Sequence, residues 1–134
     1  MVPMSVPAAK QDDEVVGLDT HVVMIPSPGG PVPTPVPMPF VGQLSDALSG
    51  SVFIDNKAAA VKGSTAQNQP QHIPAGGPFQ NPPSNQATVD AGSATVFVEN
   101  NAAARMGDPA KTCNDPVDAP NGVVIASASV YIGS

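Results

Sequence analysis

Three side chains in this 134-residue sequence have the chemistry to share a metal ion: His21, His72 and Cys113, the single cysteine. Imidazole and thiolate together suit zinc, and a closed site made of remote ligands staples a small fold. No C-x-x-C or H-x-x-x-H pair occurs, so a shared site requires distant segments to converge. The fourth ligand is open between Asp19, Met38 and a water, and thioether is a poor zinc ligand. A nucleophilic Cys113 with His72 or His21 as its base is the enzymatic alternative, and it needs an orienting group and a cleft. The plainest alternative is that these are ordinary core and surface residues.

The elements that would position these side chains form a repeat. The run Val52 to Gly63 (VFIDNKAAAVKG) returns as Val96 to Gly107 (VFVENNAAARMG), with seven of twelve residues identical. A truncated third copy closes the sequence at Ser129 to Gly133. Each full copy reads as a short strand, a polar turn and three small residues. Asp and Asn suit the turn because they tolerate positive φ and bond to their own backbone. Repeats arranged about a pseudo-threefold axis bring loops at like positions to one end, where one side chain from each can meet an ion.

Composition narrows the class. Seventeen prolines and twelve glycines make up more than a fifth of the sequence, yet Val, Ile and Phe gather in alternating runs away from the prolines. That segregation predicts short ordered strands joined by stiff loops. Net charge is −6 and no basic cluster exists, which excludes a nucleic-acid groove. No apolar run approaches the roughly 20 residues of a membrane helix, and no secretory leader is expected. With no tryptophan, four phenylalanines and one tyrosine the core is thin, and a thin core needs a staple.

Along the sequence, residues 1–16 are expected to be an N-terminal arm that frays or leads in, and residues 17–134 a single domain. Val22 to Ile25 reads as a buried strand. Pro31 to Pro39 has proline at every second position and is expected to be extended, near polyproline II, along an edge or groove. Gln43 to Ser51 is the one weak helical candidate. Residues 66–86 form a loop too long for a free connection, so something other than regular structure must hold it.

The run Val98 to Asp108 (VENNAAARMGD) resembles the pattern I-N-G-K-P-A-A-R-x-G-D of PAAR-repeat proteins, with Ala102 to Arg105 where Pro-Ala-Ala-Arg stands. Gly17 to His21, Gly30 to Pro35, Gln71 to Pro74 and Thr112 to Pro116 further resemble the PAAR-like branch, so the likeness spans roughly Gly17 to Gly133. It implies an all-β fold: a small cone of short β-hairpin repeats, pseudo-threefold, with long Pro-rich loops. It implies a non-enzymatic tip that caps the trimeric β-helical spike protein of a contractile injection machine, type VI or extracellular, one copy per trimer. It also implies a zinc ion at the point, with iron as the lesser choice. Carried over by position, His21, His72 and Cys113 fall on ligand positions and Met38 stands where a histidine is expected. Such a tip assembles in the cytoplasm and leaves the cell on the particle, meeting a target membrane only while piercing. The resemblance also implies recruitment of separate effectors; the sequence stops at the third repeat, so no toxin extension is expected. The rival readings are a secreted metal-dependent effector enzyme and a β-rich adaptor that binds partners through its Pro-rich segment.

Overall fold

The computed structural model describes residues 5–134, and among them there is no helix. In chain order the strands are β1 (Val6–Pro7), β2 (Glu14–Ile25), β3 (Val32–Asp46), β4 (Phe53–Ile54), β5 (Lys57–Ala58), β6 (Thr65–Asn68), β7 (Gln86–Val89), β8 (Phe97–Val98), β9 (Asn101–Ala102), β10 (Pro109–Thr112), β11 (Ala119–Ile125) and β12 (Tyr131–Ile132). Three two-stranded pairs, β4–β5, β8–β9 and β12–β1, pack together through one buried cluster that includes Ile54, Val98 and Ile132. Above it a closed antiparallel barrel runs β10-β11-β2-β3-β6-β7. The fold is all-β, consistent with a small cone of hairpins.

The two hairpins read from the repeat form as expected. Asp55-Asn56 and Glu99-Asn100 take positive φ at both central positions (50° and 66°, 52° and 69°), the conformation of a tight turn that matches strand twist. The third pair joins the two ends of the described chain: Val6 pairs with Ile132 and Pro7 with Tyr131. The small residues after each hairpin then meet on the axis. Ala9 donates to the Ala104 carbonyl (2.9 Å), Ala104 to Ala60 (3.0 Å) and Ala60 back to Ala9 (3.0 Å). All three are buried. Only a methyl-sized side chain lets three backbones approach this closely.

From residue 5 on, the segment expected to fray or lead in is part of the body. Residues 1–4 lie outside the described residues, but Pro7-Ala8-Ala9-Lys10 occupies the place of Ala58 to Val61 and Ala102 to Arg105. Lys10, Val61 and Arg105 each donate their backbone N–H to the side chain three residues on, Asp13, Ser64 and Asp108 (2.9, 3.0 and 2.7 Å). Asp12, Gly63 and Gly107 take positive φ at like positions. The arm is the missing half of the third repeat.

In the barrel, Leu44, Val89 and Val124 fill the layer above the alanines, with Val15, Ala66 and Ala110 between them. Beside the buried Phe40, glycines let the strands approach closely: a Cβ on Gly17 would stand 2.7 Å from the Asn121 carbonyl oxygen, and one on Gly42 would stand 2.5 Å from that of Gln67. Gln43 to Ser51, read as weakly helical, contains no helix: Gln43 to Asp46 continue β3, because Leu44 is needed inside. The proline run is also strand. Pro33, Pro35, Pro37 and Pro39 pair opposite Met24, Val22, Thr20 and Leu18. Alternate residues of an antiparallel strand direct their N–H to one neighbour. The proline positions therefore face away from β2, and Val32, Thr34, Val36, Met38 and Phe40 carry the ladder.

Ala60→Leu should overpack the axis and lower stability by about 1–3 kcal/mol or more, read by thermal denaturation. The same substitution at exposed Ala75 should leave the melting curve within experimental scatter.

Candidate metal centre

Alternation along β2 builds half of the site. Val15, Asp19, His21 and Val23 point inward, two residues apart, so Asp19 and His21 project from the same face. Cys113 follows directly on β10. His72 comes from the long segment between β6 and β7, which is held at three places. The His72 backbone N–H donates to Asn85 Oδ1 (2.8 Å), Met24 donates to the Pro78 carbonyl (2.8 Å) and Gln80 to the Val22 carbonyl (2.9 Å). Gly77 permits this approach, since a Cβ there would stand 1.9 Å from the Met24 carbonyl oxygen. The expectation that something other than regular structure holds this segment is met by these contacts.

Asp19, His21, His72 and Cys113 each bring one donor atom into a group spanning no more than 4.8 Å. Donors around a tetrahedral zinc sit about 3.3–3.8 Å apart, so closing on an ion requires only small side-chain adjustments. The cluster is dry: Asp19, His21 and Cys113 are at most 1% exposed. The Asp19 carboxylate accepts from His72 Nε2 (2.9 Å), from the Thr112 hydroxyl and from the Cys113 thiol (3.4 Å). His21 is different. Both its ring nitrogens are buried without a hydrogen-bond partner among the described residues. Asp115 Oδ2 is 3.5 Å from Nδ1 but already accepts the Val22 N–H at 2.8 Å. The His21 ring is flanked by His72 (centroids 4.9 Å) and by the edge of Phe79 (5.9 Å).

A buried imidazole with two orphaned nitrogens costs free energy unless something takes up a lone pair. That orphan, beside a thiol and a carboxylate, is what a cation would complete, and the residues fit one. The Cys113 thiol is pushed up to about 12 by burial, by the charge of Asp19 and by its hydrogen bond to that carboxylate. This is the opposite of what a nucleophile requires, so the Cys–His reading loses its activated thiolate. A bound cation would favour the thiolate instead.

Of the residues singled out from sequence, His21, His72 and Cys113 come together, with Asp19 as the fourth member of the group. Met38 stands directly across the ladder from Asp19, on the same face of the sheet, 7% exposed. It lines a cavity of about 290 Å³ that also touches His72, Asn68 and Ile73. Thr112, Asn68 and Asn85 were not singled out, and nothing in their spacing marks them. Asp19, open as the fourth ligand beside Met38 and a water, is the one that the fold brings into the group.

A model of the family described as PAAR motif matches residues 24–117. No curated protein and no solved structure matches the chain.

In protein stripped of metal, Cys113 should react with a disulfide reagent at pH 8 at least about 100-fold more slowly than after denaturation, because the thiolate is the reactive form. The metal-free protein should also lose stability relative to Cys113→Ala as pH climbs from about 9 to about 12. The unfolded thiol ionises across that window and the folded one does not. Equal reactivity folded and unfolded would contradict this placement.

Proposed function

The chain belongs to the PAAR-motif family, the spike-tip proteins of contractile injection systems, and from that premise we propose a metal-stapled point that caps and sharpens a trimeric β-helical spike. The observation that carries the metal half of this reading is the unpartnered, buried His21 ring among Asp19, His72 and Cys113. These four residues are the proposed ligands and zinc the first choice of ion, which suits imidazole, thiolate and carboxylate donors together. In this reading Met38 is a wall of the site, and Asp19 takes from across the ladder the role that the resemblance gave to position 38.

The proposed docking end is the hairpin layer, at the far end of the barrel strands from the ligands. Phe53, Phe97 and Tyr131 are 62%, 60% and 60% exposed at equivalent places in the three units. Val52, Val96 and Val130 beside them are also exposed. Three matched apolar groups on one layer complement the end of a threefold trimer, which supports a stoichiometry of one tip per spike. The mechanical logic follows. Load enters through a broad base on the spike and leaves through a point where one ion would tie β2, β10 and the long segment before β7. Piercing of a target envelope and carriage of separate effectors belong to the same proposal. In the proposed life of the molecule it assembles in the cytoplasm and leaves on the particle. No helix among the described residues is long and apolar enough to cross a membrane.

Elemental analysis should find one zinc per chain. His72→Ala and Cys113→Ser should each lower metal content and drop the melting temperature by more than about 10 °C, since structural zinc contributes on the order of 10 kcal/mol. Unchanged melting in both would remove the staple. Phe53→Asp combined with Phe97→Asp should abolish retention on an immobilised trimeric spike while metal content and melting stay as in the parent. Retention of the double variant would move the docking surface elsewhere.

A further inference from the structure

Asn68 sits 2% exposed between His72 and Asn85, and its amide orientation is fixed from outside. The Val41 backbone N–H donates to Asn68 Oδ1 at 2.9 Å, so that atom is the oxygen. Asn85 Oδ1 accepts the His72 backbone N–H at 2.8 Å, so it is an acceptor, and Asn68 Nδ2 donates to it at 3.2 Å. The second hydrogen of the same amide nitrogen faces His72 Nδ1 at 3.2 Å. Backbone N–H groups cannot reverse their role, so each assignment in this relay follows from one that is fixed. A proton on His72 Nδ1 would meet the amide hydrogens of Asn68 head on. Nδ1 is therefore the acceptor, and the proton of the neutral ring lies on Nε2, which gives it to Asp19 Oδ2 at 2.9 Å.

We propose that Asn68 is a positioning residue that holds metal-free His72 in the Nε2–H tautomer and so sets a threshold against loading of the centre. The inference rests on the metal reading of the site. Its ground is that Nε2, the ring nitrogen beside Asp19, must offer a lone pair to ligate and in this frame offers a hydrogen instead. A histidine held for metal binding ordinarily donates its second ring N–H to a carboxylate or carbonyl, which leaves the ligating nitrogen bare. Here the second nitrogen meets a donor. Turning the Asn68 amide over would repair this only by facing Nδ2 to the Val41 N–H and Oδ1 to Asn85 Oδ1, two repulsive contacts for one gained. His21, with no partner on either nitrogen, carries no such bias. The two histidines of the centre thus differ: one is ready to ligate, and the other is committed to Asp19 until its proton moves.

Asn68→Asp keeps the size and the acceptor for Val41 while replacing the donor that faces both His72 Nδ1 and Asn85 Oδ1, and because the added charge itself favours a cation, the tautomer is the reading that carries the test. Nitrogen NMR of labelled, metal-free protein reads the tautomer directly, and chelator competition reads Zn²⁺ affinity. The parent should show the proton on Nε2. The variant should move it to Nδ1 and tighten Zn²⁺ binding by about tenfold, the low end of what partners of metal-bound histidines contribute. A parent that holds the proton on Nδ1 overturns the proposal whatever the variant does, as does a variant that folds with the parent's tautomer and affinity. If the parent takes up no Zn²⁺ at all, the metal reading falls. The tautomer then still decides whether Asn68 orients His72 and, if it is Nδ1–H, sinks the inference separately.

Discussion

Three backbone hydrogen bonds that close on themselves govern this fold. Ala9, Ala104 and Ala60 each donate to the next around the axis at 2.9–3.0 Å, so every member satisfies one neighbour and is satisfied by the other. The ring admits nothing larger than alanine at its centre and imposes the same orientation on the three segments that leave it. Each segment turns at a residue of positive φ, is capped by an Asp or Ser side chain, and rises into the barrel as β2, β6 or β10. Convergence at the far end is a consequence. Three strands launched symmetrically from one axis bring their continuations, carrying His21, His72 and Cys113, back to that axis.

Symmetry alone would produce three equal short hairpins above the ring, and the β2–β3 arm breaks it. Its twelve paired positions, from Glu14 opposite Gln43 to Ile25 opposite Val32, outrun every other pair among the described residues. Such an arm exposes a strand edge, and edges recruit other chains. β6 covers β3 only from Gly42 to Asp46. Beyond that the outward backbone positions are Pro33, Pro35, Pro37 and Pro39, which have no N–H to offer. Prolines of period two thus keep the ladder to β2 intact while leaving an outer edge of acceptors only. The same period turns Met38 and Phe40 inward, so one sequence device stiffens the arm, guards its edge and lines the site.

Much of this was legible in the sequence, for identifiable reasons. Hairpins with Asp-Asn and Glu-Asn turns, and the convergence of two histidines and a cysteine, follow from local turn chemistry and from repeat symmetry. The half-repeat in the N-terminal segment was not seen because it is separated from its partner strand by nearly the whole chain. Pro7-Ala8-Ala9-Lys10 with Asp13 three residues on nonetheless matches Pro-Ala-Ala-Arg at three of four positions, as many as Ala102 to Arg105 does. Comparison with Asp108, three residues past Arg105, was the available signal. The proline run was read correctly as extended and at an edge but not as a strand, since proline's missing donor outweighed its spacing. Asn68 and Asn85 were invisible because their roles come from a network that only the folded chain assembles.

Asp19 in the proposed centre changes its electrostatics in both states. With two neutral imidazoles, a thiolate and a carboxylate, a divalent ion leaves the site without net charge, whereas three imidazoles and a thiolate would leave one positive charge in a dry interior. Desolvating charge is the main cost of such a place, so the carboxylate favours the loaded form. It also makes the empty form tolerable, because Thr112, His72 and Cys113 all donate to it. A buried carboxylate with three donors is a satisfied group, unlike His21 beside it. The advantage of loading would therefore be concentrated at His21, whose free ring lone pair finds no partner among the described residues. In the proposed reading the ion would act at the last layer, where β2, β10 and the long segment before β7 converge, while the hairpin layer is organised by the backbone ring.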